Sequence, residues 1–279
     1  MPPAHPLVHV IVLTWNGKQD TLDCLASLSK LTFPNFKTVV VDNASLDGTA
    51  EAVRTGYPNV HLIVNDVNRR FAGGNNVGIT YALNDGADYV LLLNNDTVVD
   101  PDFLTELVRT AESNQRIGMA GPKIYYHDAP KVLWYAGGKI AWWKGWITHR
   151  GVREPDHGQY DTAGETDYVT GCCVLVRRAA IEQAGMLDEA FFIYGEDADW
   201  SVRVARADFK LLYVPQAVIW HKLSVSTGGH LSWFKNWNKL KSQLRLLARY
   251  AKPYHWITIP FGIVFQIVAG LISSKRVMR

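Results

Sequence analysis

Acidic residues are missing from the last quarter of this chain. Of its 279 residues, none between Phe209 and Arg279 is Asp or Glu, while eleven lysines and arginines fall there. A total charge of +3 therefore leaves −8 on residues 1–208. A basic end on an acidic body calls for an anionic partner, membrane or nucleic acid. Cysteine is also scarce. Cys24, Cys172 and Cys173 give neither metal-ligand spacing nor a disulfide framework, so a reducing, cytosolic setting is expected. The opening MPPAHPLVHV lacks a charged segment and a long apolar run, and no signal peptide is expected before the first strand. Near the other end, Trp256 to Ile272 is apolar but broken by Pro260, Gly262, Gln266 and Gly270, marginal for a span. There is no G-x-G-x-x-G after the first strand and no G-x-x-x-x-G-K-[ST], so dinucleotide and P-loop readings lose ground.

What is present is alternation. Val8 to Leu13, Thr38 to Val41, Val60 to Val64 and Tyr89 to Leu93 are apolar, strand-length runs, each followed by turn formers and then by helical spacing. Units of about thirty residues of this kind predict right-handed βαβ crossovers and an α/β fold with a mostly parallel sheet. Each strand ends in polar residues, which puts Trp15, Asp42, Arg70 and Asp96 along one edge. Ligands of open α/β sheets bind at that edge. Asn94, Asn95 and Asp96 suit a hard cation holding a phosphate, or else form an Asx turn into the helix near Pro101. Trp15 and Asp42 suit a base or ribose, or else packing and capping. Gly73 and Gly74 are read as a loop that lets backbone approach a ligand.

From Tyr126 to Glu165 the chain is rich in Gly, Trp and His. Trp134, Trp142, Trp143 and Trp146 are read as a mobile substrate loop, or as packing over a sheet edge. Glu196, Asp197 and Asp199 then open a helix. Acidic residues suit a helix N-terminus, but Asp197, with like charges on both sides, also suits a general base. Further on, Leu231, Phe234, Trp237, Leu240, Leu244, Leu247 and Ala251 recur at helical spacing among basic residues, a pattern of helices that lie on anionic membranes. The alternative is a helix packed back on the body or on a second subunit.

The segments IVLTWNG, VVVDNASLDGT, NRRFAGGNNVGI, LLLNNDTVVDPDFL, VTGCCVLVRR, FFIYGEDADWSVRV and VPQAVIWHKLS resemble, in order over about residues 8–226, the GT-A fold glycosyltransferases of family 2, in particular the branch with rhamnosyltransferases and galactofuranosyltransferases. The resemblance implies a Rossmann-like GT-A domain at 1–228, with a nucleotide-sugar half to about 125 and an acceptor half after it. A helical, membrane-associating appendage would follow at 229–279. It implies Mn²⁺ or Mg²⁺ held by Asp96 and His221, with Asn94 and Asn95 where aspartates are often found. Thr14, Trp15, Asn16, Asp42, Asn43, Arg70, Gly74, Asn75, Asn94, Asn95 and Gly171 would meet the donor. Trp134, Gly138, Glu196 and Trp200 would meet the acceptor. Asp197 would be the base, with Glu196 beside it. The implied donor is a dTDP- or UDP-sugar, dTDP-rhamnose first, and the acceptor a glycan, polysaccharide or polyprenyl-diphosphate-linked. The implied place is the inner face of the cell membrane, without nucleic acid and with room for a homodimer. Rival readings are a sugar nucleotidyltransferase, which would want a basic Gly-rich loop where TWNGKQD stands, and a non-catalytic carbohydrate- or nucleotide-binding module. A processive synthase would carry Q-x-x-R-W, which Gln243-Leu244-Arg245 does not match.

Overall fold

A computed structural model describes residues 5–223 and 233–266. In chain order the strands are β1 (Val8–Thr14), β2 (Phe36–Asp42), β3 (His61–Val64), β4 (Tyr89–Asn94), β5 (Thr97–Val99), β6 (Ile117–Tyr126), β7 (Ala129–Tyr135), β8 (Gly138–Ala141), β9 (Trp146–His149), β10 (Gly164–Glu165), β11 (Cys173–Arg177) and β12 (Lys210–His221). The helices are α1 (Lys18–Leu28), α2 (Thr49–Gly56), α3 (Arg70–Asn84), α4 (Phe103–Glu112), α5 (Arg178–Ala184), α6 (Glu196–Arg206) and α7 (Trp233–Tyr250). Strands β3, β2, β1 and β4 lie side by side and parallel. Antiparallel β11 follows, then β6 and β12 parallel to each other, with β10 at the edge.

The central strands are apolar throughout because both faces of the sheet are covered. Val8, Val10, Val12, Val40, Leu91 and Leu93 meet Cys24, Leu25 and Leu28 of α1 and Phe103, Leu104 and Leu107 of α4. The alternate residues Ile11, Val39, Val41, Val90 and Leu92 meet Ile79 and Ala82 of α3, Ile181 of α5 and Trp200 of α6. Each such fully buried side chain stabilises by about 1.5–3 kcal/mol. The three thiols are buried in this core and unpaired.

Three expectations are corrected. The Gly73-Gly74 segment is not a loop, because α3 already begins at Arg70. Glycine is needed there for close packing: a Cβ on Gly74 would lie 2.4 Å from Leu13 Cδ1 and 2.8 Å from Asn43 Nδ2. The tryptophan-rich stretch is not a loop either. Trp134 lies in β7, paired with β6, and Trp146 in the β8–β9 ribbon, with Trp142 and Trp143 in the tight turn of that ribbon.

The helix α7 packs back on the body, the alternative raised above, and with a buried face only partly that of its apolar spacing, since Leu247 is buried while Trp237 and Leu244 are not. Leu246 and Leu247 are buried together with Asn238, Ser242 and Gln243, while Trp237 and Leu244 stay exposed. Leu246 joins Ile140, Tyr168, Phe191, Ala198 and Val202 in a small cluster against the body. Leu231, the Phe234 side chain and residues 267–272 lie outside the described residues. Among the described residues no helix is long and apolar enough to cross a membrane.

Candidate active site

The carboxyl ends of β1, β2 and β4 set three loops side by side. Asn16 Oδ1 accepts from the Leu46 amide at 2.7 Å, and its own amide donates to Ser45 Oγ at 2.9 Å, so the first two loops lock together. Asp42 is fully buried. Its Oδ1 accepts from the Ser45 amide at 3.0 Å, whereas Oδ2 has no hydrogen-bond partner. A buried, unsatisfied carboxylate oxygen fits an absent donor group such as a base N–H or ribose hydroxyl. Trp15 is exposed beside it.

Asn43 is buried and ties loops instead of facing solvent. Its Oδ1 accepts from Asn65 Nδ2 at 2.8 Å and its Nδ2 donates to the Arg70 carbonyl at 3.0 Å. Arg70 is exposed, with its guanidinium 3.8 Å from the centre of the Phe192 ring. Thr14 is buried and accepts from Thr21 Oγ1 at 2.8 Å and from Asn95 Nδ2 at 3.3 Å, which turns Asn95 toward the first loop. Asn75 is buried in α3 and donates to the Phe71 carbonyl, and Gly74 is a packing residue; neither side chain position faces a ligand.

Sheet register makes the next contact. Strand β5 pairs antiparallel with the end of β12, Thr97 opposite His221, so the residue before Thr97 meets the last residue of β12. His221 Nε2 lies 3.1 Å from Asp96 Oδ1, and buried His221 Nδ1 has no partner. A carboxylate oxygen and an imidazole nitrogen at one point form a donor set suited to Mn²⁺, and with phosphate oxygens and water completing the shell also to Mg²⁺. Among the described residues no third His, Cys, Asp or Glu joins them. The half-buried Trp134 packs edge-on against both His221 and His149, ring centres 4.6 Å apart in each case, and so holds the His221 ring. Lys222, counted in the sequence only as charge, donates its amide to the Asp96 carbonyl at 2.8 Å and pairs with Asp20 and Asp23. Its place directly after His221 was the available signal.

The second acidic cluster reaches the same edge through one two-residue segment. The Cys172 carbonyl accepts from the Asn94 amide at 2.9 Å, while the adjacent Gly171 amide donates to Asp197 Oδ2 at 3.0 Å. A side chain at Gly171 would meet the Phe71 ring at 3.0 Å, so glycine keeps this junction tight. Burial raises the Asp197 carboxyl, opposed by amide hydrogen bonds from Gly171 and Ala198. Glu196 is buried, its Oε2 lacks a partner, and burial followed by the Asp197 charge pushes it up to about 8. The two environments differ in the right sense for one proton to sit on Glu196 and the charge on Asp197. The expectation of like charges on both sides of Asp197 is corrected: Asp199 turns away and is paired with Arg203 and Arg249. Trp200 is 1% exposed and its Nε1 donates to the Gly185 carbonyl, so it has no surface to offer an acceptor. Gly138 is buried too, where a Cβ would lie 2.3 Å from the Tyr168 ring.

The Glu196 proton has a consequence for stability. The folded chain holds it up to about 8, whereas the unfolded chain releases it near the ordinary 4.5. The stabilisation is thus fully present below the unfolded value and is lost as pH rises toward 8. Glu196→Gln, neutral at every pH, is expected to gain melting temperature relative to the parent between pH 5 and 8.5. A difference that stays constant across that range would place the proton elsewhere.

Backbone strain marks the same edge. Five of the seven described non-glycine residues with positive φ lie in its loops: Asn16, Ala44, Arg70, Tyr194 and Leu223. Strain of this kind collects at ligand sites.

Comparison with known proteins shows the family and the fold. An N-acetylglucosaminyl-diphospho-decaprenol L-rhamnosyltransferase of Mycobacterium tuberculosis is 31% identical over 239 residues, 78% of this chain and 77% of that protein. The dTDP-rhamnosyl transferase RfbF of Shigella flexneri is 26% identical over 77% of this chain and 69% of its own length. The mannosyltransferase PcManGT of Pyrobaculum calidifontis, solved with GDP-Man and Mn²⁺, superposes with a TM-score of 0.63 at 19% identity, over 96% of this chain and 72% of that one, and shares the fold. Residues 9–185 match the family model "Glycosyl transferase family 2", and the chain belongs to that family of GT-A glycosyltransferases.

Proposed function

We propose that this glycosyltransferase moves a sugar, rhamnose from dTDP-rhamnose in the first instance, to a hydroxyl of a lipid-linked or polysaccharide glycan, with inversion and with Mn²⁺ or Mg²⁺. The observation that carries the reading is the two-residue segment Gly171-Cys172, whose Cys172 carbonyl accepts from the Asn94 amide and whose Gly171 amide donates to the Asp197 carboxylate. It sets the Asp96–His221 pair and the Asp197–Glu196 pair at one edge. The names of the relatives favour rhamnose and a polyprenyl-linked acceptor.

In this reading Asp42, Arg70 and Trp15 hold the nucleoside and Asn95 lies by the ribose. The acceptor hydroxyl, far too weak an acid to ionise at neutral pH, gives its proton to Asp197 as its oxygen bonds the anomeric carbon. The bond from that carbon to the diphosphate oxygen breaks in the same displacement, so no covalent enzyme intermediate forms. Asp96 and His221 would hold the divalent cation, which when bound neutralises charge on the departing diphosphate. Glu196 keeps its proton and limits the charge beside the base.

A thermal-shift panel of dTDP, UDP and GDP and their sugars, with and without Mn²⁺, tests the donor half. Ligands that bind the folded state raise its melting temperature by mass action. A metal-dependent rise with dTDP above the others is the expected result. Equal shifts with and without metal would remove the metal from the reading.

The membrane surface belongs to the same proposal. Exposed Trp143 at the β8–β9 tip adjoins exposed Ile257, Phe261, Val264 and Phe265: Thr258 Oγ1 donates to the Trp143 carbonyl, and Trp146 stacks on Phe265 at 5.9 Å. Lys144, 4.6 Å from the Trp143 ring centre, and the acid-free tail supply positive charge beside this apolar surface. The full chain is expected to sediment with phosphatidylglycerol vesicles and a Trp143→Ser/Phe261→Ser variant to stay in solution. Equal partitioning of the two would remove the surface from the reading.

A further inference from the structure

The tail helix makes more specific contacts with the catalytic helix than a surface anchor requires. Asp199, two residues past Asp197, is fully buried. Its carboxylate accepts from Arg203 Nε at 2.8 Å within α6, and from two residues of α7, Arg249 at 2.9 Å and the Tyr250 hydroxyl at 2.7 Å. Arg249 also reaches Asp188 at 2.6 Å, in the segment that leads to α6. About two turns earlier on α7, Ser242 Oγ donates to the Ile193 carbonyl at 3.0 Å. Between these anchors the chain turns through Tyr194 and Gly195, both at positive φ, directly into Glu196. Gly195 lets α7 come close, since a Cβ there would lie 3.3 Å from Ser242 Cβ.

The contacts therefore grip α6 on both sides of its two leading carboxylates: Ile193 three residues before Glu196, Asp199 two after Asp197. We propose that α7 is a positioning element of the active site, in which Ser242, Arg249 and Tyr250 fix the first turn of α6 and so the direction of Asp197. The physical ground is twofold. A buried charge left without its partners must move or be hydrated, which strains the helix that carries it. A base displaced by about 1 Å can lose on the order of a hundredfold in rate. Buried Ser242 belongs to this grip, whereas buried Gln243 donates to the Gly145 carbonyl and ties α7 to the β8–β9 turn. One corollary concerns the membrane. Deleting the tail would slow turnover even with a soluble acceptor, so deletion cannot report on lipid binding, whereas the surface variants of Trp143 and Phe261 can.

The proposal rests on Asp197 as base, and the test separates the two. Arg249→Ala, Arg249→Lys and Tyr250→Phe are made in the full chain and assayed with dTDP-, UDP- and GDP-sugar donors and Mn²⁺, Asp197→Asn running alongside. The expected result is a kcat about 10- to 100-fold lower in Arg249→Ala, donor KM within about twofold of the parent, and recovery of most of kcat in Arg249→Lys. Should Arg249→Ala fail to fold, Tyr250→Phe, which removes one hydrogen bond and little volume, decides by the same split of kcat from KM. Parental kcat in these variants, or a joint loss of kcat and KM that lysine does not rescue, overturns the positioning role. Parental turnover in Asp197→Asn instead overturns the base and leaves the brace without a catalytic purpose.

Discussion

Asp197→Asn is expected to lower kcat by about 10²- to 10⁴-fold, the range contributed by a positioned general base, while the Kd for the nucleoside diphosphate with Mn²⁺ stays within about twofold. The amide cannot take a proton from the acceptor hydroxyl, and among the residues expected to meet the donor only the Gly171 backbone amide is bonded to Asp197. The substitution carries a structural cost that must be measured beside the rate. Asp197 accepts amide hydrogen bonds at both oxygens, from Gly171 and from Ala198. Asparagine can accept only one of them and points its own N–H₂ at the other donor, a loss of about 1–3 kcal/mol. Melting temperature should therefore fall modestly, and assays belong well below it. Glu196→Gln is the control. Because Glu196 already holds a proton near neutral pH, its conversion to the amide should change kcat far less than Asp197→Asn does. The reverse ranking would exchange the roles of the two residues, and equal losses would make the pair a single shared-proton unit.

The second large effect is expected at the cation. Asp96→Ala should abolish the Mn²⁺-dependent part of the nucleotide thermal shift and leave the metal-free part in place, since the proposed reading gives the nucleoside to Asp42 and Trp15 and only the metal to Asp96. His221→Ala should act differently. Imidazole favours Mn²⁺ over Mg²⁺, so its removal should reduce the preference for manganese while magnesium still supports binding. Calorimetric titration of nucleoside diphosphate in each metal reads both effects. The assignment fails if Asp96→Ala keeps the full manganese dependence. Removal of metal with a chelator should reproduce the Asp96→Ala behaviour in the parent chain, which separates a missing ligand from a misfolded loop. Trp134→Ala should resemble a weakened His221→Ala, as the ring that packs on the imidazole is lost while the ligand remains.

Much of the edge was legible in advance because local chemistry writes it. A short apolar run cut off by Asn94-Asn95-Asp96 can only be a buried strand with its polar end at a sheet edge. The βαβ rhythm then places Trp15, Asp42 and Arg70 at that edge too. Resemblance, not spacing, attached His221 to Asp96. Several readings failed for one shared reason, that a local pattern does not say what lies across from it. Gly73 and Gly74 look like a loop until Leu13 is known to pack on the helix that carries them. The tryptophans look like a substrate loop until β6 and the tail are known to pair with and cover them. Trp200 looks available until the sheet is placed over it.

The sequence by itself determined the α/β architecture, the acidic groups that open α6 and end β4, and the charge asymmetry of the tail, because hydrophobic periodicity, turn chemistry and charge are properties of neighbours along the chain. Only the tertiary structure decided that the β5–β12 register sets His221 against Asp96, and that Asp199 is an anchor for Arg249 and Tyr250 and not a companion of Asp197. It also decided which face of α7 is buried. An amphipathic pattern offers a helix more than one face, and the choice is made by the surface it meets, here one that takes in Ser242, Leu246 and Leu247 rather than Trp237 and Leu244, with the part-exposed Arg249 reaching across to Asp188 and Asp199.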